Sequence, residues 1–425
     1  MRTDWTLLET LLSTPTAPFR EDQIQALAED TLVEAGVPFF EDPYGNIVIG
    51  AKSKAEYLKA LSKKSTEPAR VLIAHMDHPG FHGLEWLSPT ELKIEWHGGS
   101  PVKHVEGAKV WLSVDGAHGY ADSGVLQDVV IAKHGKAIET ATVRFDESSV
   151  YAHFAGKPTS IYGGFQFRAP CFEENGCYYT KAADDLVGCF AILSLMRELY
   201  GKSSGKAAGA KSSPARIGAR GKNDAKLNQK VGPTFGLLTR AEEVGFVGAI
   251  EHFELGWYKK AKREVIAVSL ETSRTLPGAD IGKGPVVRLG DRKTVFHPDY
   301  LQVLTELAQK HLPNVPAKGK EPAVTRHQRR IMDGGSCEAT AATVYGLPAI
   351  GLSVPLGNYH NQGFQGGPDC AGPEGPAPEF VHKDDVVGLL KLVRGLAQPA
   401  LPWSDPWAAY RKNFKKSLKT YRKYR

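Results

Sequence analysis

The apolar positions of the chain follow two alternating patterns. In residues 5–36 leucine and isoleucine recur at helical spacing, and helical spacing returns after Asp184. Between these helical segments lie continuous apolar runs that predict buried strands: VLIA at 71–74, TFGLLT at 234–239, EVIAVSL at 264–270 and LPAIGLSV at 347–354. Strands that alternate with helices predict an α/β fold, with a mostly parallel sheet flanked by helices on both faces.

Residues 80–175 differ from the rest of the chain. Short alternating runs such as LKIEW, KVWLSV and ATVRF are separated by glycine, proline and aspartate, which predicts an all-β unit. We therefore expect residues 1–79 and 176–425 to form the α/β domain, and residues 80–175 to form an inserted β-domain. The length of 425 residues also favours two domains over one.

The positive charge is confined to two segments. Residues 201–230 and residues 401–425 each carry a net charge of +7, so the remainder carries −8 of the total of +6. The segment 201–230, rich in glycine, serine, alanine and lysine, is expected to be a flexible basic loop, and 404–425 a basic tail. The tail could bind RNA or acidic surfaces, but the acidic body argues against nucleic acid as the main partner.

Targeting signals are not evident in the sequence. The chain has no apolar run of about 18 residues, and its start lacks the basic and apolar segments of a secretory signal. Its five cysteines are scattered and contain no CxxC pair, which argues against thiolate zinc sites and a disulfide framework. A cytoplasmic protein without a membrane span is expected.

Residues of metal-ligand type follow the predicted strands or open a predicted helix. They are His75 and Asp77, Asp184, Glu242 and Glu243, Glu271, and His360. In open α/β sheets the carboxyl ends of the strands meet at one edge, where ligands bind. Two imidazoles and three carboxylates suit two zinc-like ions, and a further glutamate could act as a base.

Each of these residues also has an ordinary structural explanation. His75 could be a hydrogen-bonded core histidine, and Asp184 with Asp185 could cap the following helix. Glu242 and Glu243 could be a solvated pair, although the apolar sequence around them is a poor surface context. Only the convergence of all of them at one sheet edge favours a metal site.

Several segments together resemble the co-catalytic di-zinc aminopeptidases of the glutamyl, deblocking and tetrahedral type. The segments are DPYGNIVI, AHMDHPGF, KAADDLVG, TRAEEVGFVGA, SLETS and DGGSCEATAATVYGLPAIGLSVPLGNYHN. The resemblance spans most of the chain. It implies a di-zinc exopeptidase-like fold, and an inserted β-domain that serves assembly or substrate access.

The resemblance also implies roles for individual residues. As metal ligands it implies His75, Asp184 as the bridge, Glu243, Glu271 and His360. Glu242 would be the general base, and Asp77 would orient the His75 imidazole. Two divalent ions are implied, zinc first, with cobalt or manganese also chemically suitable.

This chain departs from the family pattern at several positions. His78 and Pro79 replace the usual acidic continuation after HMD, and Glu271 stands where an aspartate is usual. Glu338, in GGSCEA, lies where an acidic group helps to hold substrate. The departures affect the expected specificity more than the expected reaction.

The function expected from the sequence is removal of N-terminal residues from peptides by a homo-oligomeric metallo-aminopeptidase. One alternative is a carboxypeptidase or N-acyl-amino-acid deacylase of the related fold. A second alternative is a catalytically silent protein that binds metal and either peptide or RNA.

Overall fold

A computed structural model describes residues 3–146, 156–201, 232–318 and 322–424. The expected flexible loop at 201–230 therefore lies outside the described residues from 202 onward. The described α-helices are α1 (Trp5–Ser13), α2 (Asp22–Ala35), α3 (Lys54–Leu61), α4 (Leu186–Tyr200), α5 (Val247–Glu254), α6 (Pro298–His311), α7 (Glu338–Val344), α8 (Lys383–Leu396) and α9 (Ala408–Tyr421).

The strands fall into three groups. In chain order they are β1 (Phe39–Glu41), β2 (Ile47–Ile49), β3 (Ala69–His75), β4 (Gly80–Ser88), β5 (Glu91–His97), β6 (Lys109–Val114), β7 (Asp122–Ile131), β8 (Ile138–Arg144), β9 (Ile161–Phe165), β10 (Cys171–Glu174), β11 (Cys177–Thr180), β12 (Thr234–Thr239), β13 (Val265–Arg274), β14 (Val286–Asp291), β15 (Gln328–Met332), β16 (Ala349–Leu356) and β17 (Glu379–His382).

The main sheet has eight strands in the order β1-β2-β12-β3-β13-β16-β14-β15. Its four central strands, β12, β3, β13 and β16, are parallel, while β2 and β14 join them antiparallel. Every residue of β3, β12 and β16 is buried, as expected for strands covered on both faces. The α/β fold with a mostly parallel sheet, expected from the sequence, is confirmed.

Helices cover this sheet and complete one large apolar core. Helices α4 and α8 pack on each other and against β3 and β16, while α7 packs against β13 and β16. Helix α4 buries ten of its residues, so little of its surface faces solvent. The core fixes the strand ends from which the candidate site is built.

A closed barrel is inserted between β3 and α4. Its strands follow the order β4-β5-β8-β7-β6-β9, so it runs from Gly80 to Phe165. It has its own apolar cluster, which includes Phe81, Leu92 and Val143. Strand β10 does not belong to the barrel: it pairs with β11, which pairs with β17.

The C-terminal helix α9 is exposed along its whole length. Among the described residues, no helix is long and apolar enough to cross a membrane.

Candidate active site

Strands β3 and β12 bring the first candidate residues together. They are parallel neighbours, and His75 pairs in register with Thr239, the last residue of β12. The segment after Thr239 carries Glu242 and Glu243, so these carboxylates emerge at the same edge as His75. The geometry follows from the parallel pairing of two buried apolar strands.

The two imidazoles flank the Asp184 carboxylate. His75 Nε2 lies 3.5 Å from Asp184 Oδ1, and His360 Nε2 lies 4.0 Å from Asp184 Oδ2. His360 Nε2 is also 3.0 Å from Glu243 Oε2. Ligand atoms of His75, Asp184 and Glu243 all lie within 4.8 Å of one another. Four of the predicted ligands therefore share one small space.

Asp77 supports this space through the backbone. Its two carboxylate oxygens accept hydrogen bonds from the N–H groups of Glu242 (2.9 Å) and Glu243 (3.1 Å). The His75 Nδ1 atom lies 3.1 Å from the Asp77 carbonyl oxygen and 3.5 Å from its carboxylate. Asp77 thus fixes the turn that presents both glutamates, and its main chain contacts the imidazole.

Glu379, which the sequence analysis missed, ties two ligand segments together. Its Oε2 accepts hydrogen bonds from the N–H groups of Ala183 (2.7 Å) and Asp184 (3.2 Å), and its Oε1 from that of His360 (2.8 Å). The side chain is fully buried. The sequence gives no signal for this role, because the contact depends on β17 returning beside β11.

Asp185 caps α4, as its position before the helical pattern suggested. Its Oδ1 accepts hydrogen bonds from the N–H of Gly188 and from the Thr272 hydroxyl. The peptide bond between Asp184 and Asp185 is cis. The cap leaves the Asp184 side chain directed at the two histidines.

Glu271 lies inside a strand rather than at its end. Strand β13 continues to Arg274, beyond the predicted end at residue 270, and Glu271 pairs in register with Ser353. The buried Arg288 places Nη1 at 3.8 Å from Glu271 Oε2. Arg288 had no signal in the sequence, because a lone arginine in VVRLGD resembles any strand residue.

Glu338 lies beneath the site. It is fully buried as the first residue of α7, and its Oε1 accepts a hydrogen bond from the Thr239 hydroxyl. It is not among the residues that line the cavity beside Glu242 and Glu243.

Burial and mutual repulsion control the charges of the site. Burial raises the pKa of Glu242 and Glu243 well above the usual range, and neighbouring carboxylates add to the rise. Burial also raises the pKa of Glu271 to about 8, against the lowering effect of Arg288. Burial lowers the pKa of His360 to about 4, which favours the neutral imidazole that binds metals.

The pKa of His75 shifts in the opposite direction to that of His360. Burial alone would lower its pKa, but the carboxylates of Glu242, Asp184 and Asp77 raise it well above the ordinary value. This excess of negative charge around one imidazole is the arrangement expected where a cation belongs.

Two further side chains at the site were not assigned a role from the sequence. His78 is buried, with Nδ1 at 2.9 Å from the Asp184 carbonyl and Nε2 at 3.3 Å from Asn361 Oδ1. The ring of Tyr359 stacks on that of His360 with centroids 3.7 Å apart. Both contacts hold the ligand loops in place.

The inserted barrel touches the site at one glycine. A Cβ atom at Gly99 would lie 2.2 Å from His360 Nδ1. The turn after β5 therefore approaches the imidazole more closely than any side chain at position 99 would allow.

A cavity opens beside these carboxylates. Glu242, Glu243 and Glu271 line one side of it, and Arg274, Arg288 and Tyr359 also contribute. A small organic group could therefore approach the carboxylates directly.

The residues present fit a divalent metal. Asp184 Oδ1, Glu243 Oε1 and His360 Nε2 are buried and make no hydrogen bond within the described residues; the 3.0 Å approach of His360 to Glu243 is not aligned for one. Buried polar atoms normally have partners. Imidazole nitrogens and carboxylate oxygens are the donors that zinc accepts.

Comparison with known proteins agrees with this geometry. Residues 222–363 match the family model described as M42 glutamyl aminopeptidase. This range contains Glu242, Glu243, Glu271, Glu338 and His360, whereas His75 and Asp184 lie before it.

Solved structures extend the likeness of fold to nearly the whole chain. The aminopeptidase APDkam598 from the archaeon Desulfurococcus kamchatkensis is 18% identical with a TM-score of 0.66, and the match covers 94% of this chain and 95% of that one. The TET1 peptidase of Pyrococcus horikoshii is 18% identical with a TM-score of 0.63, covering 93% and 99%. An M18 aminopeptidase from Thermotoga maritima is 13% identical with a TM-score of 0.59, covering 93% and 97%.

At these identities the structural matches establish the fold alone. Residues 222–363 are similar to the M42 glutamyl aminopeptidase family, and this match covers about a third of the chain.

Proposed function

We propose that the chain is a two-metal aminopeptidase that releases N-terminal residues from peptides with Glu242 as general base. The observation that carries the proposal is the cluster of His75, Asp184 and Glu243 ligand atoms within 4.8 Å, with Glu242 beside it. A structural ion-pair network would leave fewer buried polar atoms without hydrogen bonds.

The chemistry of the ligand set suits two cation positions. His75 and Glu271 would hold one ion, His360 and Glu243 the other, and Asp184 would bridge them. Zinc suits this set best, and cobalt or manganese would also fit. Bound ions would polarise the scissile carbonyl and lower the pKa of the attacking water.

Glu242 has the properties of a proton carrier. It is 9% exposed, lines the cavity, and lies 3.9 Å from His75 Nε2. Because burial raises its pKa, its carboxylate is a stronger base than one in water. Glu242 would take the proton of the attacking water and deliver it to the leaving amine. Asp77 would hold its backbone in place throughout.

The substrate amine would be recognised by an acidic group in the cavity. Glu271 lines the cavity, whereas Glu338 is buried under Thr239. We therefore assign the amine contact to Glu271, in addition to its proposed role as a metal ligand, and we give Glu338 a supporting role. Peptides are the proposed partner of this cavity.

A homo-oligomer is also proposed. The Pyrococcus horikoshii TET1 peptidase can assemble into a tetrahedron or a large octahedral shell. The fold shared with that protein supports assembly of this chain, with the barrel as one candidate contact surface.

Replacing Glu242 by glutamine tests the mechanism. We expect kcat on aminoacyl-anilides to fall by about 10²- to 10⁴-fold, because the general base is lost, while metal content stays at two ions per chain. The matched control is Glu34→Gln, a change at an exposed position of α2. Undiminished turnover in Glu242→Gln would remove this residue from the mechanism.

A substrate panel separates the aminopeptidase from the related hydrolases. Free aminoacyl-anilides should be cleaved, and N-acetylated amino acids and peptides cut from the carboxyl end should not. Preferred cleavage of N-acetylated amino acids would favour a deacylase instead.

A further inference from the structure

The C-terminal helix α9 carries two sharply divided faces. At 100° per residue, Tyr410, Phe414, Leu418 and Tyr421 fall within a sector of about 80°. The basic residues occupy a separate sector of about 140°; they are Arg411, Lys412, Lys415, Lys416 and Lys419. No acidic residue interrupts either face between Ala408 and Tyr424.

No described residue of the same chain covers this apolar face. Every residue from Ala408 to Tyr424 is exposed, and Phe414 and Tyr421 expose 68% and 66% of their surface. The helix is held at its base, where Trp407 Nε1 donates a hydrogen bond of 2.6 Å to Asp299. Such a face is stable in water only as part of an interaction surface.

A complementary groove lies elsewhere on the molecule. It is bounded by α1, α2 and the barrel segment 114–120. Its acidic lining residues are Glu9, Asp22, Asp30 and Asp115, and its apolar lining includes Leu27 and Tyr120. No lysine or arginine is among the described residues that line it, although Asp115 and Asp22 also pair with Arg20 and Arg240. An apolar lining with acidic residues beside it matches an apolar stripe with basic flanks.

In this structure the helix does not occupy the groove of its own chain, because every residue from Ala408 to Tyr424 is exposed. Its base lies at the amino edge of the sheet, where Trp403 packs on Arg70 near the start of β3. The groove lies at the carboxyl edge, where Thr16 donates a hydrogen bond to the Met76 carbonyl just after β3. The seven residues of β3 alone separate the two by about 20 Å.

We propose that α9 of one chain docks in the acidic groove of a second copy of this chain. The contact is heterologous, because two different surfaces meet, so repetition closes a ring or extends an assembly. It rests on the proposed homo-oligomer and not on the proposed catalysis. Hydrolysis of a small anilide by each variant therefore tests the catalytic proposal separately.

Sedimentation velocity on the full chain, over a range of concentrations, tests the contact. We expect Phe414→Ser with Leu418→Ser to weaken self-association at least tenfold, and Lys415→Glu with Lys419→Glu to do the same. Asp22→Lys with Asp30→Lys should weaken it from the groove side. The matched control is Lys63→Glu with Lys64→Glu, at exposed positions away from both surfaces.

The decisive measurement combines the charge reversals on the helix, Lys415→Glu with Lys419→Glu, with those in the groove, Asp22→Lys with Asp30→Lys. If the two surfaces meet, the four-substitution variant should recover most of the lost affinity, since opposite charges again face each other. The wild-type association should also weaken as salt is raised.

Three results would overturn the proposal. They are a monomeric wild-type chain, helix variants that associate like the wild type, and a combined variant weaker than either parent. Vesicles containing phosphatidylserine and a single-stranded RNA serve as competing probes. Binding of either probe that depends on α9, with self-association unchanged in the helix variants, would assign the helix to that probe instead.

Discussion

The carboxyl edge of the sheet and the C-terminal helix both concentrate charge, but in opposite environments. At the sheet edge, carboxylates and imidazoles from several distant segments are buried together, and several of their polar atoms lack hydrogen bonds. Along α9 every charge is exposed on one continuous element. Burying charge is costly without a counter-charge, whereas exposed charge costs little. The first arrangement fits the proposed cation within the chain, and the second fits the proposed partner outside it.

The largest effect is expected from comparing a buried lysine, Lys181, with an exposed lysine, Lys419. Burial lowers the pKa of Lys181 to about 7 from an ordinary 10.5, whereas Lys419 is exposed. Between pH 7 and pH 10.5, Lys181 is protonated in the unfolded chain and neutral in the folded chain. The wild-type free energy of unfolding therefore rises with pH across that window. Lys181→Met should raise the free energy of unfolding by about 5 kcal/mol at pH 6, a gain that shrinks to nothing near pH 10.5.

Urea unfolding of Lys181→Met and Lys419→Met at several pH values checks this prediction. Lys419→Met should change stability by less than about 0.5 kcal/mol at every pH, since its side chain is solvated in both states. Equal effects of the two substitutions would mean that burial does not distinguish the two environments.

The second largest effect is expected where the barrel meets the site. Gly99→Ala should displace His360, because the new Cβ would lie 2.2 Å from its Nδ1. A misplaced ligand should lower kcat/KM by about 100-fold and weaken metal binding. Gly156→Ala is the control, because a Cβ there meets nothing within 4 Å. Normal activity in Gly99→Ala would show that the turn after β5 can shift to accommodate the new methyl group without displacing His360.

A smaller effect is expected from Glu379→Gln. The substitution keeps the shape but replaces one acceptor oxygen with a donor that faces the backbone N–H groups of Asp184 or His360. Metal affinity should fall by about 10- to 100-fold, as for other residues that support ligands. Titration of the metal-free protein with zinc measures the change, and Glu34→Gln should leave the affinity intact.

The smallest effect is expected on the exposed helix. Phe414→Ala should change the free energy of unfolding by less than about 0.5 kcal/mol, because the side chain is 68% exposed. Measurement below the concentration of self-association is required, since assembly would add its own stability. A loss of several kcal/mol in the monomer would show that α9 packs on its own chain.

The same contrast explains what the sequence could predict. The predicted strand at 234–239 matches β12 residue for residue, and the run at 71–74 lies within β3, because continuous apolar runs are typical of buried parallel strands. The end of β13 was misplaced by four residues, since Glu271 interrupts the apolar pattern while the backbone pairing continues to Arg274. Local pattern thus identified elements better than their ends.

The candidate ligands could be predicted because they follow recognisable apolar strands or open a helix. Arg288, Glu379 and His78 could not, since their positions depend on contacts between segments far apart in the chain. Glu379 meets Asp184 only because β17 pairs beside β11. The hydrophobic periodicity of a sequence does not identify side chains whose role is to position other side chains.

The insertion point of the barrel has a consequence for protein engineering. The chain enters the barrel at Gly80, just after Asp77, and leaves it at Phe165. The two stems lie side by side, because Phe81 of β4 pairs with Gly163 of β9. Grafting a different module between such close stems should be tolerated by the host sheet. A chimaera of this kind would need a turn as small as Gly99 against His360.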